Sequence, residues 1–435
     1  MQEKSKTLIK HATIIGLVIS LLTFTFSILV GEYIVRHTLP QNTYNFARLR
    51  GMNIFDSTET LPITLQKDVK DYDHIAYTLE FRHKVDTNSQ GIRGREISLE
   101  KPQNTYRILL LGDSMTFGWG VNEEETFAKV LENNLNTWSK ESNLDTNFEV
   151  INAGFTGGKT LDSYYVFLNE MGLKYKPDLV VLNLFPYNDV TDLLEMNWDE
   201  VDERGLPHKI TSKFQSTEDG YIVNIYQKNW IYEIPVVRNT HLGILLMSAM
   251  EKGSPNTVKK IKKSLGFQEN PPKSISQEEA VPCLSNITAT NTSCVAEILQ
   301  GIEKSKTLIA GINDLVTQNQ SAFIVTILTD PQQAKSIGRQ IEDGYKLEEE
   351  QPQREFRDFL NDKKIANLDF LKFMAVKNSQ DYYFERDGHF NVPGHKRTGN
   401  LLSAFIAQNY LPTVTINQEF LKENQINPSI DFALK

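Results

Sequence analysis

Three short apolar runs constrain this chain more than any other feature. Tyr106–Leu111, Phe148–Asn152 and Leu179–Leu184 are too short to be buried helices, and each stops at a residue that breaks a strand or precedes a breaker. Helix-period segments lie between them: Glu124–Asn136, with apolar Phe127, Val130, Leu131 and Leu135, and then Leu161–Met171. Strands alternating with helices predict a parallel sheet covered on both faces. The pattern lapses from about 195 to 300, where Lys259–Lys263, a Pro271-Pro272 pair and no fixed period read as a large insertion. It resumes with a helix at Glu297–Val316 and a strand at Ala322–Leu328. A charged helix follows near Lys346–Asn361, then a strand at Ile365–Leu368 and a last helix from Pro393 to about Gln408. The expected fold is therefore an α/β, three-layer α/β/α sandwich with a parallel sheet and an insertion.

The N-terminus sets the expected compartment. Ala12–Val30 is uncharged, rich in Ile, Leu, Val and Phe, and long enough to cross a bilayer core. Lys4, Lys6 and Lys10 precede it, which keeps that end cytoplasmic and sends the rest of the chain outside. A cleavable signal peptide is the competing reading, but Leu29 and Val30 stand where a cleavage site needs small residues. A formal net charge of −9 argues against a phosphate-binding surface, so no nucleic-acid partner is expected. The only cysteines, Cys283 and Cys294, have no histidines nearby. Outside the cytoplasm they read as a disulfide rather than a metal site. Asn286-Ile-Thr288 and Asn291-Thr-Ser293 match a glycosylation pattern that is common by chance.

Chemistry concentrates where the strands end. Gly112-Asp113-Ser114 follows the first run and delivers a serine hydroxyl at a strand's C-terminal edge, where open α/β sheets collect reacting groups. Asn152-Ala153-Gly154 ends the second run, and the third leads into Pro186-Tyr187-Asn188-Asp189. Asp387-Gly388-His389-Phe390-Asn391 precedes the last helix. A serine nucleophile needs a base that titrates near neutrality, and histidine supplies one. Each block alone has a plainer reading: Gly-Asp-Ser as a turn, Gly154 as a loop glycine, Asn188-Asp189 as a helix cap.

Together and in this order, the four blocks resemble the SGNH (GDSL-type) hydrolase family over about 105–190 and 320–410. The resemblance implies Ser114 as nucleophile, His389 as base and Asp387 as the acid that orients it. It implies an oxyanion hole from the N–H groups of Ser114 and Gly154 and the side-chain amide of Asn188. No metal and no organic cofactor is implied. The family often sets its acid three residues before the histidine, whereas Asp387 precedes His389 by two; an extended segment would still put both on one face. Glu385 is the alternative acid and His395 the alternative base. The implied function is a serine esterase acting on O-acyl, above all O-acetyl, esters of a cell-envelope or secreted glycan. An O-acyltransferase and a non-catalytic glycan-binding or assembly protein are the alternatives, and no protein partner is specified. The expected organisation is a cytoplasmic end (1–11), an anchor (12–35), a juxtamembrane segment (36–104), a hydrolase-like domain (105–412) and a tail (413–435).

One motif competes. Ala153–Thr160 fits a relaxed P-loop, in which Lys159 would reach phosphates and Thr160 a magnesium ion. No hydrophobic strand after it ends cleanly in a magnesium-binding Asp, since Leu184 is followed by Phe-Pro-Tyr-Asn. Thr160 as a helix cap and Lys159 beside an acidic sugar or acyl group are the alternatives. Trp198 and Trp230 of the insertion are candidates for a sugar-stacking wall.

Overall fold

The computed structural model describes residues 2–39, 52–76, 80–155, 159–212, 214–216, 220–224, 237–264, 296–342, 352–376 and 378–427, with a few isolated positions besides. Cys283, Cys294, Trp230, both glycosylation patterns and part of the P-loop-like stretch (156–158) lie outside these residues.

The chain divides into two compact units: Met1–Gly51 with Asn224–Pro271, and Met52–Val223 with Pro272–Lys435. In the first unit, helix α1 (Gln2–Thr38) contains a stretch, His11–Thr38, with a mean hydropathy of 2.4, long and apolar enough to cross a membrane. Its large apolar side chains from Ile14 to Val30 are 40–67% exposed. Two shorter helices, His241–Gly253 and Pro255–Ser264, belong to the same unit. The Glu32 carboxylate accepts the N–H groups of His241 and Leu242 at 3.1 and 2.8 Å, a favourable placement at a helix N-terminus.

The second unit holds the expected sheet. In chain order it contains a hairpin of β1 (Tyr72–Ile75) and β2 (Arg82–Val85), then β3 (Thr105–Gly112), α2 (Ser114–Phe117), α3 (Phe127–Glu141), β4 (Asn147–Gly154) and α4 (Leu161–Glu170). These are followed by β5 (Leu179–Leu184), α5 (Pro186–Asp192), α6 (Ala296–Gln318), β6 (Ala322–Ile327), α7 (Pro331–Glu342), α8 (Gln353–Asp362), β7 (Ala366–Asp369) and α9 (Val392–Tyr410). Five strands, β7-β6-β5-β3-β4, form one sheet, and every neighbouring pair is parallel. Numbered along the chain this is the 2-1-3-4-5 order of flavodoxin-like folds, whose switch point lies between the first and third strands. Here those strands are β3 and β5.

Burial explains the apolar runs. Every residue of β5 is buried, as is β3 from Arg107 to Gly112, which requires cover on both faces. Helix α9 packs on α3, and α6 packs on α4, giving the two helical layers. Each fully buried Leu or Val contributes roughly 1.5–3 kcal/mol, so the central strands anchor the core.

The structure adds to the expected organisation in several places. Within the segment 36–104, Met52, Ile54, Phe55, Ile63, Leu65 and Val85 form a small core that also takes in Phe117 of α2. Helix α7 has no counterpart in the sequence reading; the charged helix is described from Gln353, and residues 346–351 of the expected helix lie outside the described residues. The described part of the tail packs on the domain, with Leu421, Ile426 and Phe432 buried and Phe420 set edge-on to Trp138 at 4.9 Å. The insertion opens with an antiparallel pair, Met196–Val201 on Pro207–Ser212, that packs on α4.

Candidate active site

Strand β3 ends at the switch point and turns at once into the four-residue helix α2. Asp113 caps that helix, its Oδ1 accepting the Met115 N–H at 2.9 Å. Gly118 closes it at φ +88°, and a Cβ there would lie 2.6 Å from Thr126 Cγ2. Ser114 is the first residue of the helix. Its Oγ lies 2.7 Å from His389 Nε2, and His389 Nδ1 lies 2.5 Å from Asp387 Oδ1.

His389 arrives on the loop before α9. Asp387 and His389 do not meet across an extended segment as the sequence reading supposed. Residues 385–387 form a turn, Gly388 adopts φ +84°, and the turn folds the carboxylate back to the ring. The Phe384 N–H to His389 O bond, at 2.8 Å, closes this loop. Trp119 Nε1 donates to the second oxygen of Asp387 at 3.4 Å. The Asp387 side chain is 3% exposed and that of His389 25%, so the acid is sealed while the ring faces outward. Burial pushes the Asp387 carboxyl upward, but the bonds and charge of His389, with the Trp119 donor, outweigh it and hold the group below its ordinary value. Glu385 is exposed, and the bond to Nδ1 comes from Asp387. His395 is 1% exposed, accepts the Phe127 N–H through Nδ1 at 3.2 Å and stacks on Phe127; burial holds it at about 3. It is a neutral core residue.

The donors expected around the oxyanion are only partly available. Asn188, at the start of α5, gives one amide N–H to Asp113 Oδ2 at 2.9 Å, which leaves its second N–H. Gly154 has a different role: its N–H donates to Asn152 Oδ1 at 3.0 Å, which removes it from the expected oxyanion set. A Cβ on Gly154 would come within 2.1 Å of Phe117 N, so glycine here lets β4 approach α2.

Beneath the serine lies a carboxyl pair that the sequence reading missed. Burial raises Asp113, and burial together with the Asp113 charge raises Asp189 well above its usual range. Asp189 accepts from the Tyr164 hydroxyl at 3.0 Å and from the Phe185 N–H at 2.8 Å. The other candidates do not line this site. Lys159 is 4% exposed with its amine 3.8 Å over the Phe155 ring, and burial drives its pKa well down. Thr160 stands at the N-cap of α4, but its hydroxyl donates to Asp162 at 2.8 Å. Trp198 donates to the other oxygen of Asp162 at 3.0 Å and carries Lys304 over its ring. Among the described residues no group of three or more His, Cys, Asp or Glu converges as a metal site would require.

No protein-family model and no curated protein matches the chain. Solved structures do. A lipase/acylhydrolase from Enterococcus faecalis is 15% identical, with a TM-score of 0.33, covering 69% of this chain and 95% of its own. An acetyl xylan esterase is 13% identical, with a TM-score of 0.32 and 68% and 97% coverage. A two-domain esterase active on acetylated mannans is 11% identical, with a TM-score of 0.34, covering 74% of this chain and half of its own. Likenesses at this level assign neither activity nor substrate. In block order, strand order and the Ser114–His389–Asp387 arrangement, the chain resembles the SGNH (GDSL-type) hydrolases.

Proposed function

We propose that the protein is a serine ester hydrolase, tethered to a membrane by α1 with its second unit outside the cytoplasm. One observation carries the reading: an unbroken run of short contacts from Ser114 Oγ through both nitrogens of His389 to Asp387. Ser114 Oγ attacks the ester carbonyl as His389 Nε2 takes its proton, and Asp387 holds the Nδ1–H and stabilises the imidazolium. The tetrahedral oxyanion faces the Ser114 N–H and the second N–H of Asn188, in a position where one donor is typically worth about 10²–10³ in kcat. His389 returns the proton to the departing alcohol. Water, activated by the same ring, then frees the acid from the acyl-serine.

The preferred substrate is an O-acyl, above all O-acetyl, ester on a cell-envelope or secreted glycan. Support comes from the partly exposed His389 at the sheet edge, which a group on a bulky carrier can reach without being engulfed. The apolar α1, preceded by Lys4, Lys6 and Lys10, supports the tether and its orientation.

The test uses full-length protein in detergent with a fluorophosphonate probe and 4-nitrophenyl acetate. Labelling and turnover are expected, and both should vanish in Ser114→Ala and His389→Ala. Labelling without turnover would favour an acyltransferase waiting for its hydroxyl acceptor. Labelling that persists in Ser114→Ala would overturn the assignment.

A further inference from the structure

We propose that the segment ahead of the first sheet strand, 52–104, is part of the catalytic apparatus, with Glu80 and Arg93 as positioning residues for the two ends of the triad. This rests on the esterase reading above. Glu80 precedes β2 and lies 307 residues from Asp387, yet its carboxylate grips the turn that carries the acid. Oε1 accepts the Arg386 N–H at 2.9 Å and Oε2 the Asp387 N–H at 2.8 Å. A carboxylate holding two successive N–H groups fixes the direction of the peptide, and such charge-assisted bonds are roughly twice as strong as neutral ones.

Arg93 does the same for the nucleophile. It is 4% exposed, and its guanidinium donates to Phe117 O and Gly118 O at 2.7 and 2.8 Å and to Val121 O at 2.6 Å. The first two carbonyls end the helix that begins at Ser114, and the third lies just past it. Arg93 lies in Asn88–Gly94, within the second half of the segment. Asn88 Oδ1 accepts the N–H groups of Gln90 and Ile92, and so shapes the turn that aims Arg93. Between the two clamps, Phe81 packs on Phe384 at 4.6 Å and His74 on Trp119 at 4.6 Å, and Trp119 is the donor to Asp387.

Glu80 is only partly buried and so suits substitution. Glu80→Gln puts an amide NH2 against a backbone N–H and breaks one arm of the grip. In full-length protein, kcat for 4-nitrophenyl acetate and the rate of fluorophosphonate labelling should fall by the same factor, about ten- to a hundredfold, with KM nearly unchanged. Glu80→Asp should recover part of the loss. In an Asp387→Asn background Glu80→Gln should cost nothing more, because the group it positions is already disabled. A readout independent of turnover is the low-field NMR proton of the Asp387–His389 bond, absent from His389→Ala, which should broaden or move upfield in Glu80→Gln. Unchanged kcat with an unmoved proton would overturn the clamp and leave the esterase reading intact. Equal losses in both backgrounds would also overturn it, since Glu80 would then act only on stability. A proton that moves in a protein with no turnover would sustain the clamp and remove the esterase reading.

Discussion

The two sides of the site are built differently. The side of the proposed nucleophile, Gly112 to Gly120, is sunk into the sheet edge, and Arg93, Asn152 and Asn188 reach it from three separate parts of the chain. The side of the proposed base, Glu385 to Asn391, is a surface loop held by a few bonds, with Glu80 and Trp119 among its partners outside the loop. Each side carries an aspartate, and the two respond in opposite directions. Burial dominates at Asp113 and raises it; at Asp387 the bonds from His389 prevail over burial and lower it. Depth alone therefore does not decide which carboxylate works with the histidine. The bonding partner decides.

The sharpest way to break that contrast is to neutralise each aspartate in turn. Asp387→Asn should lower kcat by about 10⁴, because the ring loses the partner that fixes its tautomer. Asp113→Asn keeps an oxygen for the Met115 cap and should cost only about tenfold, through a misdirected Asn188. Steady-state kinetics on both variants decide the matter, and equal losses would erase the distinction.

Gly154→Ala probes the rigidity of the nucleophile side. The new methyl meets α2 backbone rather than a yielding side chain. Overpacking of this kind should cost about 1–3 kcal/mol in denaturant unfolding and slow turnover with it. Unaltered stability would mean that the β4–α2 contact is looser than the geometry implies.

The smallest expected effect concerns Asp189. Its folded pKa is raised, so its contribution to stability is fully present below the ordinary carboxylate value of 3.8 and is lost as pH rises through the raised folded value. Asp189→Asn removes that titration. Its melting point relative to wild type should therefore climb as pH rises above 3.8 and level off once pH passes the raised folded value, by roughly 2–4 °C per kcal/mol. A difference that stays flat with pH would show that the carboxyl is not held neutral.

Much of this architecture is legible without coordinates. Ile108–Leu111 and Leu179–Leu184 announce doubly covered strands because a residue buried on both faces must be apolar whichever way it points. Ser114, His389 and Asp387 stand out because their side-chain types suit the chemistry and they sit at strand or helix boundaries. The segment 52–104 escaped notice because its strands are only two to four residues long, too short to show a period. The extended geometry expected for Asp387–His389 failed at Gly388, whose freedom to take positive φ permits a turn where spacing alone suggested a strand.

By itself, then, the sequence determined the alternating α/β pattern, the apolar N-terminal helix and the order of the four blocks. All of these follow from local periodicity and residue type. Only the tertiary structure decided which hydrogen bonds those residues make. The Gly154 N–H goes to Asn152, Lys159 folds onto Phe155, and Glu80 and Arg93 reach across the fold to the Asp387 N–H and the Phe117 carbonyl. A donor's partner is whichever acceptor packing brings within about 3 Å, and packing joins residues hundreds of positions apart, where no local pattern carries the information.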